Sequence, residues 1–265
     1  MKSYEIEMHN IPQNEYRANK RLSASDCKEL LDNPYAFKIG YKKESTLSLD
    51  VGSVTHCLIL EPQNFNRDFL VCPELNLRTK AGKQERDELE LQAEVEGKKL
   101  VDKAIYEKSA QIAENVLKND IGALFKNGLA EHSFYGEVFG KDCKCRPDFY
   151  YREKGIIIDL KTTRQGGAHP AEFAKTMAKF KYHLQARFYL ELLKAKDFLF
   201  VVVETEPPYV IGCYKLDYAT LDKGEELIKR AFKNYDNLES FNQVLRDSDG
   251  NTMQTIGLPN YAFFE

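Results

Sequence analysis

The chain has 265 residues, enough to bury a full core as one large domain or two small ones. Charged residues make up 30% and hydrophobic ones 43%, as in an ordinary globular protein, and no apolar run approaches the ~20 residues of a membrane span. A net charge of -3 argues against a broadly basic nucleic-acid coat, but it leaves room for a basic groove inside an acidic exterior.

The first residues, Met1-Lys2-Ser3-Tyr4-Glu5, hold no apolar signal core, so the expected location is the cytoplasm. The 6 cysteines are Cys27, Cys57, Cys72, Cys143, Cys145 and Cys213. Only Cys143 and Cys145 are close, and they lack the C-x2-C spacing of metal sites. Free thiols in a reducing compartment are expected, and an iron–sulfur cluster is not.

Ser23 predicts a helix N-cap, with Asp26 completing a capping box. Leu30, Leu31 and Phe37 supply apolar contacts, and Asn33-Pro34 interrupts the run. Leu47 to Leu60 predicts, beyond Gly52, a helix that carries His56 beside an apolar face. Arg78, Lys80, Lys83 and Arg86 form a basic cluster ahead of an acidic helical stretch. From Asp102 the pattern is helical, with Ile105, Ser109, Ile112, Ala113 and Val116 on one face.

Three strand candidates follow in hairpin order, over about 130–139, 143–151 and 156–161, with Gly140-Lys141-Asp142 and Glu153-Lys154-Gly155 as turns. Ile156-Ile157-Ile158 is β-branched and reads as a buried strand ending in Asp159. Strand alternation points Asp159 and Lys161 the same way. With Asp148 on the neighbouring strand, two carboxylates and an ammonium make a site suited to divalent metal and phosphodiester chemistry. Alternation also places Glu131, Ser133 and Tyr135 on one face.

A helix is expected from Pro170 to Lys196, broken near Phe180, then a central strand over Phe198 to Val203. Pro207-Pro208 ends it, Tyr209 to Leu216 reads as a further strand, and a last helix runs from Tyr218 to Leu238. The order helix, three strands, helix, two strands, helix predicts an α/β fold with a mixed central sheet flanked by helices.

That order, with Pro147-Asp148 and Asp159-x-Lys161, resembles the PD-(D/E)XK nuclease superfamily, also called restriction-endonuclease-like. More narrowly, the chain resembles the nuclease-domain family of RecE, or exonuclease VIII. The matching segments are Asp50 to Pro62, Cys143-Lys144-Cys145-Arg146-Pro147-Asp148, Ile158-Asp159-Leu160-Lys161-Thr162-Thr163 and Tyr182 to Tyr189. They are collinear and span most of the chain. Relatives often have tryptophan near the C-terminus, where this chain has Leu258-Pro259-Asn260-Tyr261.

The resemblance implies one nuclease domain over 1–265, with an N-terminal helical elaboration over about 1–100 that carries His56 and a core over about 101–265. No long N-terminal extension is expected. It implies an exonuclease that degrades linear double-stranded DNA from its ends, 5′→3′, leaving 3′ tails for recombination by strand annealing. A ring-shaped homo-oligomer and an annealing partner of the RecT type are implied as well.

By the same resemblance, Asp148, Asp159, Glu131, His56 and the Leu160 carbonyl would bind one or two Mg²⁺, for which Mn²⁺ can substitute. Lys161 would orient or deprotonate water or stabilise charge on phosphorus, and bound metal would depress its pKa. Gln185, one turn from Tyr189, would touch the scissile phosphate or the water. From the residues alone the alternatives stay open. His56 and Tyr189 also read as core packing, Glu131 as an edge-strand acid, and Lys161 as a salt-bridge partner of either aspartate. Tyr189 is a candidate for DNA contact, and Tyr182, His183 and the cluster Arg78, Lys80 and Lys83 are candidates for DNA contact or for plain surface. A PD-(D/E)XK endonuclease and an inactive DNA-binding module are the rival functions.

Overall fold

The computed structural model describes residues 7–9, 11–41, 48–246 and 249–259. The expectations resting on Met1 to Glu5, Leu47, Asn260 and Tyr261 lie outside them.

Strand β1 (Glu7–His9) precedes helices α1 (Gln13–Ala18), α2 (Ala24–Asp32) and α3 (Pro34–Lys38). The capping box forms: the Asp26 N–H donates to Ser23 Oγ at 3.3 Å, and the Ser23 N–H donates to Asp26 Oδ2 at 2.7 Å. Asn33 ends α2 and caps α3 by accepting the Ala36 N–H at 2.9 Å. Pro34 follows at the first helical position, where a missing N–H costs nothing.

Helix α4 (Ser48–Leu60) begins ahead of Gly52 rather than beyond it. Then come α5 (Phe65–Asp68), β2 (Phe69–Cys72), α6 (Lys80–Glu96), β3 (Lys99–Asp102) and α7 (Lys103–Lys118). Strands β2 and β3 form a separate parallel pair. Helix α7 buries Ser109, Ile112, Ala113 and Val116, the stripe its spacing predicts.

The hairpin region departs from the sequence reading. The candidate over 130–139 is two strands, β4 (Leu129–Ala130) and β5 (Ser133–Val138). The candidate over 143–151 is also two, β6 (Lys141–Cys145) and β7 (Phe149–Tyr151). Both breaks have local causes. Glu131 takes a left-handed φ of 50°, which cannot continue a strand. Pro147 has no N–H to give to a ladder. At these two breaks the chain passes between sheets. Strands β5 and β6 join β1 in one, while β4 and β7 join the other. Glu131 thus lies outside any strand, and strand alternation does not set its side chain on one face with Ser133 and Tyr135.

The larger sheet runs β10-β9-β8-β7-β4, built with β8 (Ile156–Thr163), β9 (Asp197–Glu204) and β10 (Ile211–Lys215). Strand β8 is central and parallel to β9, and the other pairs are antiparallel. The helical crossover breaks where expected, into α8 (Pro170–Lys179) and α9 (Tyr182–Leu193), and α10 (Tyr218–Asp236) closes the fold.

Alternation splits β8 between two cores. Ile157 packs with Leu184 and Phe188 of α9 and with Phe198 and Phe200 of β9. Ile158 and Leu160 pack with Ile59 of α4, Ile112 and Val116 of α7, and Val201. Each such side chain contributes about 1.5–3 kcal/mol on burial, so β8 is clamped from both faces and can carry a buried acid. No helix among the described residues is long and apolar enough to cross a membrane.

Candidate active site

Asp159 is 1% exposed and shares the α9-facing side of β8 with Lys161. Lys161 Nζ lies 2.5 Å from Asp159 Oδ2, and Gln185 Nε2 donates to Asp159 Oδ1 at 2.5 Å. Lys161 also sits over the Tyr182 ring, 4.8 Å from its centre. Gln185 is held in turn by Lys28 of α2, whose Nζ donates to Gln185 Oε1 at 3.2 Å.

A second group converges beside this pair. Asp148 leaves β6 through Pro147, and its Oδ2 accepts the Leu160 N–H at 2.7 Å. His56 Nδ1 lies 3.5 Å from the same oxygen. The Glu131 N–H donates to the Asp148 carbonyl at 3.1 Å, which joins the two strand breaks. His56, Glu131 and Asp148 offer ligand atoms within 4.8 Å of one another. His56 arrives because α4 approaches β8 closely at Gly52. A Cβ on Gly52 would stand 3.3 Å from Thr162 Oγ1, tighter than ordinary contact.

Electrostatics separates the two groups. Burial drives the Glu131 carboxyl well above the ordinary range, and the Asp148 carboxylate pushes it further. Burial also raises Asp159, although Lys161 opposes it. Burial alone would lower the Lys161 ammonium, but Asp159 and Asp148 outweigh it and hold Lys161 above the usual lysine range. Lys28 shifts the other way, pushed down to about 8 by burial and then by the Lys161 ammonium.

Two crowded carboxylates and an imidazole fit a divalent cation, which would offset the burial and the Asp148 repulsion that raise Glu131. His56, Glu131 and Asp148 could hold such an ion. Asp159 lies beside that cluster: Gln185 donates to its Oδ1, while its Oδ2, ion-paired with Lys161, is buried and accepts no hydrogen bond from the described residues. Leu160 meets Asp148 through its N–H.

The site opens on a cleft of about 2320 Å³ whose wall includes His56, Glu131, Leu160, Lys161 and Tyr182. Basic side chains outnumber carboxylates along this wall, although the whole chain is acidic. Arg78, Lys80 and Lys83 are not among them. They stand exposed before and along the first turns of α6. Tyr189 does not offer a DNA-contacting face: it is buried, and its hydroxyl donates to the Arg146 carbonyl at 3.3 Å. His183 is buried as well, whereas Tyr182 reaches the cleft.

Sequence reasoning missed Lys28 and Arg146. Lys28 carries no signal beyond lying on the capped helix, since its partner is 157 positions away. Arg146 directly precedes Pro147-Asp148. Its Nη2 donates to Ser133 Oγ at 2.6 Å, and its guanidinium lies 4.7 Å from the Tyr16 ring centre, so it fixes the strand break that presents Asp148.

The family described as a PDDEXK-like domain of unknown function (DUF3799) matches residues 23–245. A crystal structure of a candidate exonuclease from Eubacterium rectale superposes with a TM-score of 0.62 at 13% identity, covering 96% of this chain and 98% of that one. An alkaline exonuclease from Laribacter hongkongensis gives 0.38 at 14% identity, with 86% and 95% covered. A phage-related exonuclease from Haemophilus somnus gives 0.37 at 15% identity, with 85% and 98% covered. No curated protein matches the sequence.

Proposed function

The chain belongs to the PDDEXK-like family, and from that premise we propose that it is a Mg²⁺-dependent exodeoxyribonuclease acting on linear double-stranded DNA. One observation carries the reading. A His56–Glu131–Asp148 ligand set and an Asp159–Lys161 ion pair sit side by side, and His56, Glu131 and Lys161 reach the wall of a basic cleft. The candidate exonuclease from Eubacterium rectale agrees in fold.

The residues divide the work. The basic wall would draw in the phosphodiester backbone. His56, Glu131, Asp148 and Asp159 would hold the metal, which when bound supplies Lewis-acid stabilisation of phosphate charge and a water of lowered pKa. Mn²⁺ should substitute, because an imidazole nitrogen suits it. Lys161 would orient the attacking water or stabilise charge gathering on phosphorus. Gln185 would position the scissile phosphate while keeping Asp159 in place.

The polarity we propose is 5′→3′, releasing 5′-mononucleotides and leaving 3′ tails. Those tails suit recombination with a single-strand annealing partner of the RecT type in the cytoplasm. A ring of three or four subunits would keep the enzyme linked to its substrate, with the whole chain acting as one nuclease unit.

The deciding experiment incubates the protein and Mg²⁺ with duplexes labelled at either the 5′ or the 3′ end, and with a covalently closed circle. Release of 5′ label as mononucleotide, with the circle untouched, is expected. Cutting of the circle would establish an endonuclease instead. Binding without Mg²⁺-dependent cleavage would establish an inactive module. Light scattering at micromolar concentration tests the ring, and a strict monomer that still degrades long duplex processively would refute it.

A further inference from the structure

Phe180 occupies the break between α8 and α9 and is 49% exposed, although it lines the same polar cleft as Lys161. Its ring stacks on Tyr182, with centres 5.7 Å apart and planes at 23°. Tyr182 is anchored inward, against Phe200 at 5.9 Å and Phe173 at 6.2 Å. Its ring also receives Lys161 at 4.8 Å and Lys28 at 5.1 Å. A continuous aromatic step therefore runs from the core, past the lysine beside Asp159, to an open ring at the cleft edge.

The step is rigidly held. The Phe180 N–H donates to the Thr176 carbonyl at 2.9 Å. Lys181 turns the chain with a left-handed φ of 52°. Its ammonium is tied to Asp32 of α2, so the turn is braced by a different helix. Lys179 lies 5.4 Å from the Phe180 ring centre, and Lys175 lines the cleft one turn earlier.

A half-exposed aromatic ring flanked by ammonium groups matches one chemical class closely. A nucleobase offers a π-face to the ring, and its phosphates offer charge to the lysines. A terminal base pair opens only its outer face and a base behind it has both faces covered, so behind the end only an unstacked base can use such a ring. We infer that Phe180 is a stacking platform for an unpaired nucleobase of the strand whose phosphate lies at Lys161, so that the strand enters the site locally unwound. This inference rests on the nuclease reading and specifies the form in which that site takes its substrate.

The test measures binding of fluorescently labelled duplexes in Ca²⁺, which should support binding without turnover. One set carries intact ends. A second carries an abasic nucleotide at each of the first few positions in turn. Wild-type protein should lose about ten-fold in affinity at one of these positions, within the range that base–aromatic stacking supplies. Phe180→Ala should bind intact ends about ten-fold more weakly and show no further abasic loss, whereas Phe180→Trp should keep the abasic penalty. An abasic penalty as large in Phe180→Ala as in wild type would overturn the platform while leaving the nuclease reading intact, and so would the lack of any penalty in wild type. Failure of the wild type to bind duplex ends at all would overturn both. If Phe180→Ala does not fold, Phe180→Leu serves in its place, because it keeps volume and removes the π-face.

Discussion

Gln185 and Lys161 hold the two oxygens of the Asp159 carboxylate, Gln185 Nε2 donating to Oδ1 and the Lys161 ammonium ion-paired with Oδ2, both at 2.5 Å. Asp159 is thus a buried charge with a counter-ion and a neutral brace, and it is sensitive to losing either. Replacing Lys161 by Met should cost about 3–5 kcal/mol, because an unpaired charge would remain buried. Chemical denaturation should show that loss, and adding Asp159→Asn should recover most of it. If the double variant is no more stable than Lys161→Met alone, the pair is not what holds this part of β8.

Cleavage should vanish in Asp159→Ala, Lys161→Ala and Asp148→Asn, with DNA binding in Ca²⁺ nearly kept. Gln185→Ala should leave one Asp159 oxygen without its donor, at a cost of about 1–3 kcal/mol, and should slow turnover. Near-wild-type turnover in Lys161→Ala or Asp148→Asn would remove those residues from the chemistry.

The Glu131 carboxyl predicts a pH-dependent response. Burial and Asp148 raise it, so the folded protein keeps a proton on Glu131 that the unfolded chain has released. Metal-free stability should fall as pH rises from the ordinary carboxyl range toward the raised value, and stay flat below that window. Glu131→Gln should remove this slope and melt higher than wild type at neutral pH without metal. With Mg²⁺ the order should reverse, since the variant loses a ligand charge. Melting curves at pH 5 and pH 8, with and without Mg²⁺, test this. Parallel curves for both proteins at both pH values would place Glu131 outside the metal set.

Much of this arrangement is visible in the sequence because it is local. The Ser23–Asp26 capping box spans one turn, and Asp159-x-Lys161 is fixed by the period of a strand. The Ser109, Ile112, Ala113 and Val116 stripe is likewise set by the period of a helix. What stayed hidden depends on long-range geometry. The breaks at Glu131 and Pro147 arise where the flanking strands join different sheets. Pro147 is the one local signal against a continuous strand there. Lys28 joins the site only because α2 packs on the helix that carries Gln185, so no spacing rule reaches it.

Lys28 carries the last prediction. Its ammonium is pushed down to about 8 by burial and by Lys161, while an unfolded lysine titrates near 10.4. Below pH 8 both states are protonated, and the folded one bears the full penalty of holding that charge. As pH climbs from about 8 toward the unfolded value, the folded state releases its proton first, and stability rises relative to a chain without the group. Lys28→Met should therefore stabilise the protein at pH 7 by about 1–3 kcal/mol, given about 1.4 kcal/mol for each pKa unit and some residual solvation of the side chain. That advantage should shrink by pH 10.5. The same variant frees Gln185 from its brace, so turnover should drop about ten-fold while the KM for DNA changes little. Melting temperatures of both proteins at pH 7 and pH 10.5, with kcat and KM at pH 7, decide it. A less stable Lys28→Met with unchanged kcat would show that Lys28 serves packing rather than the site.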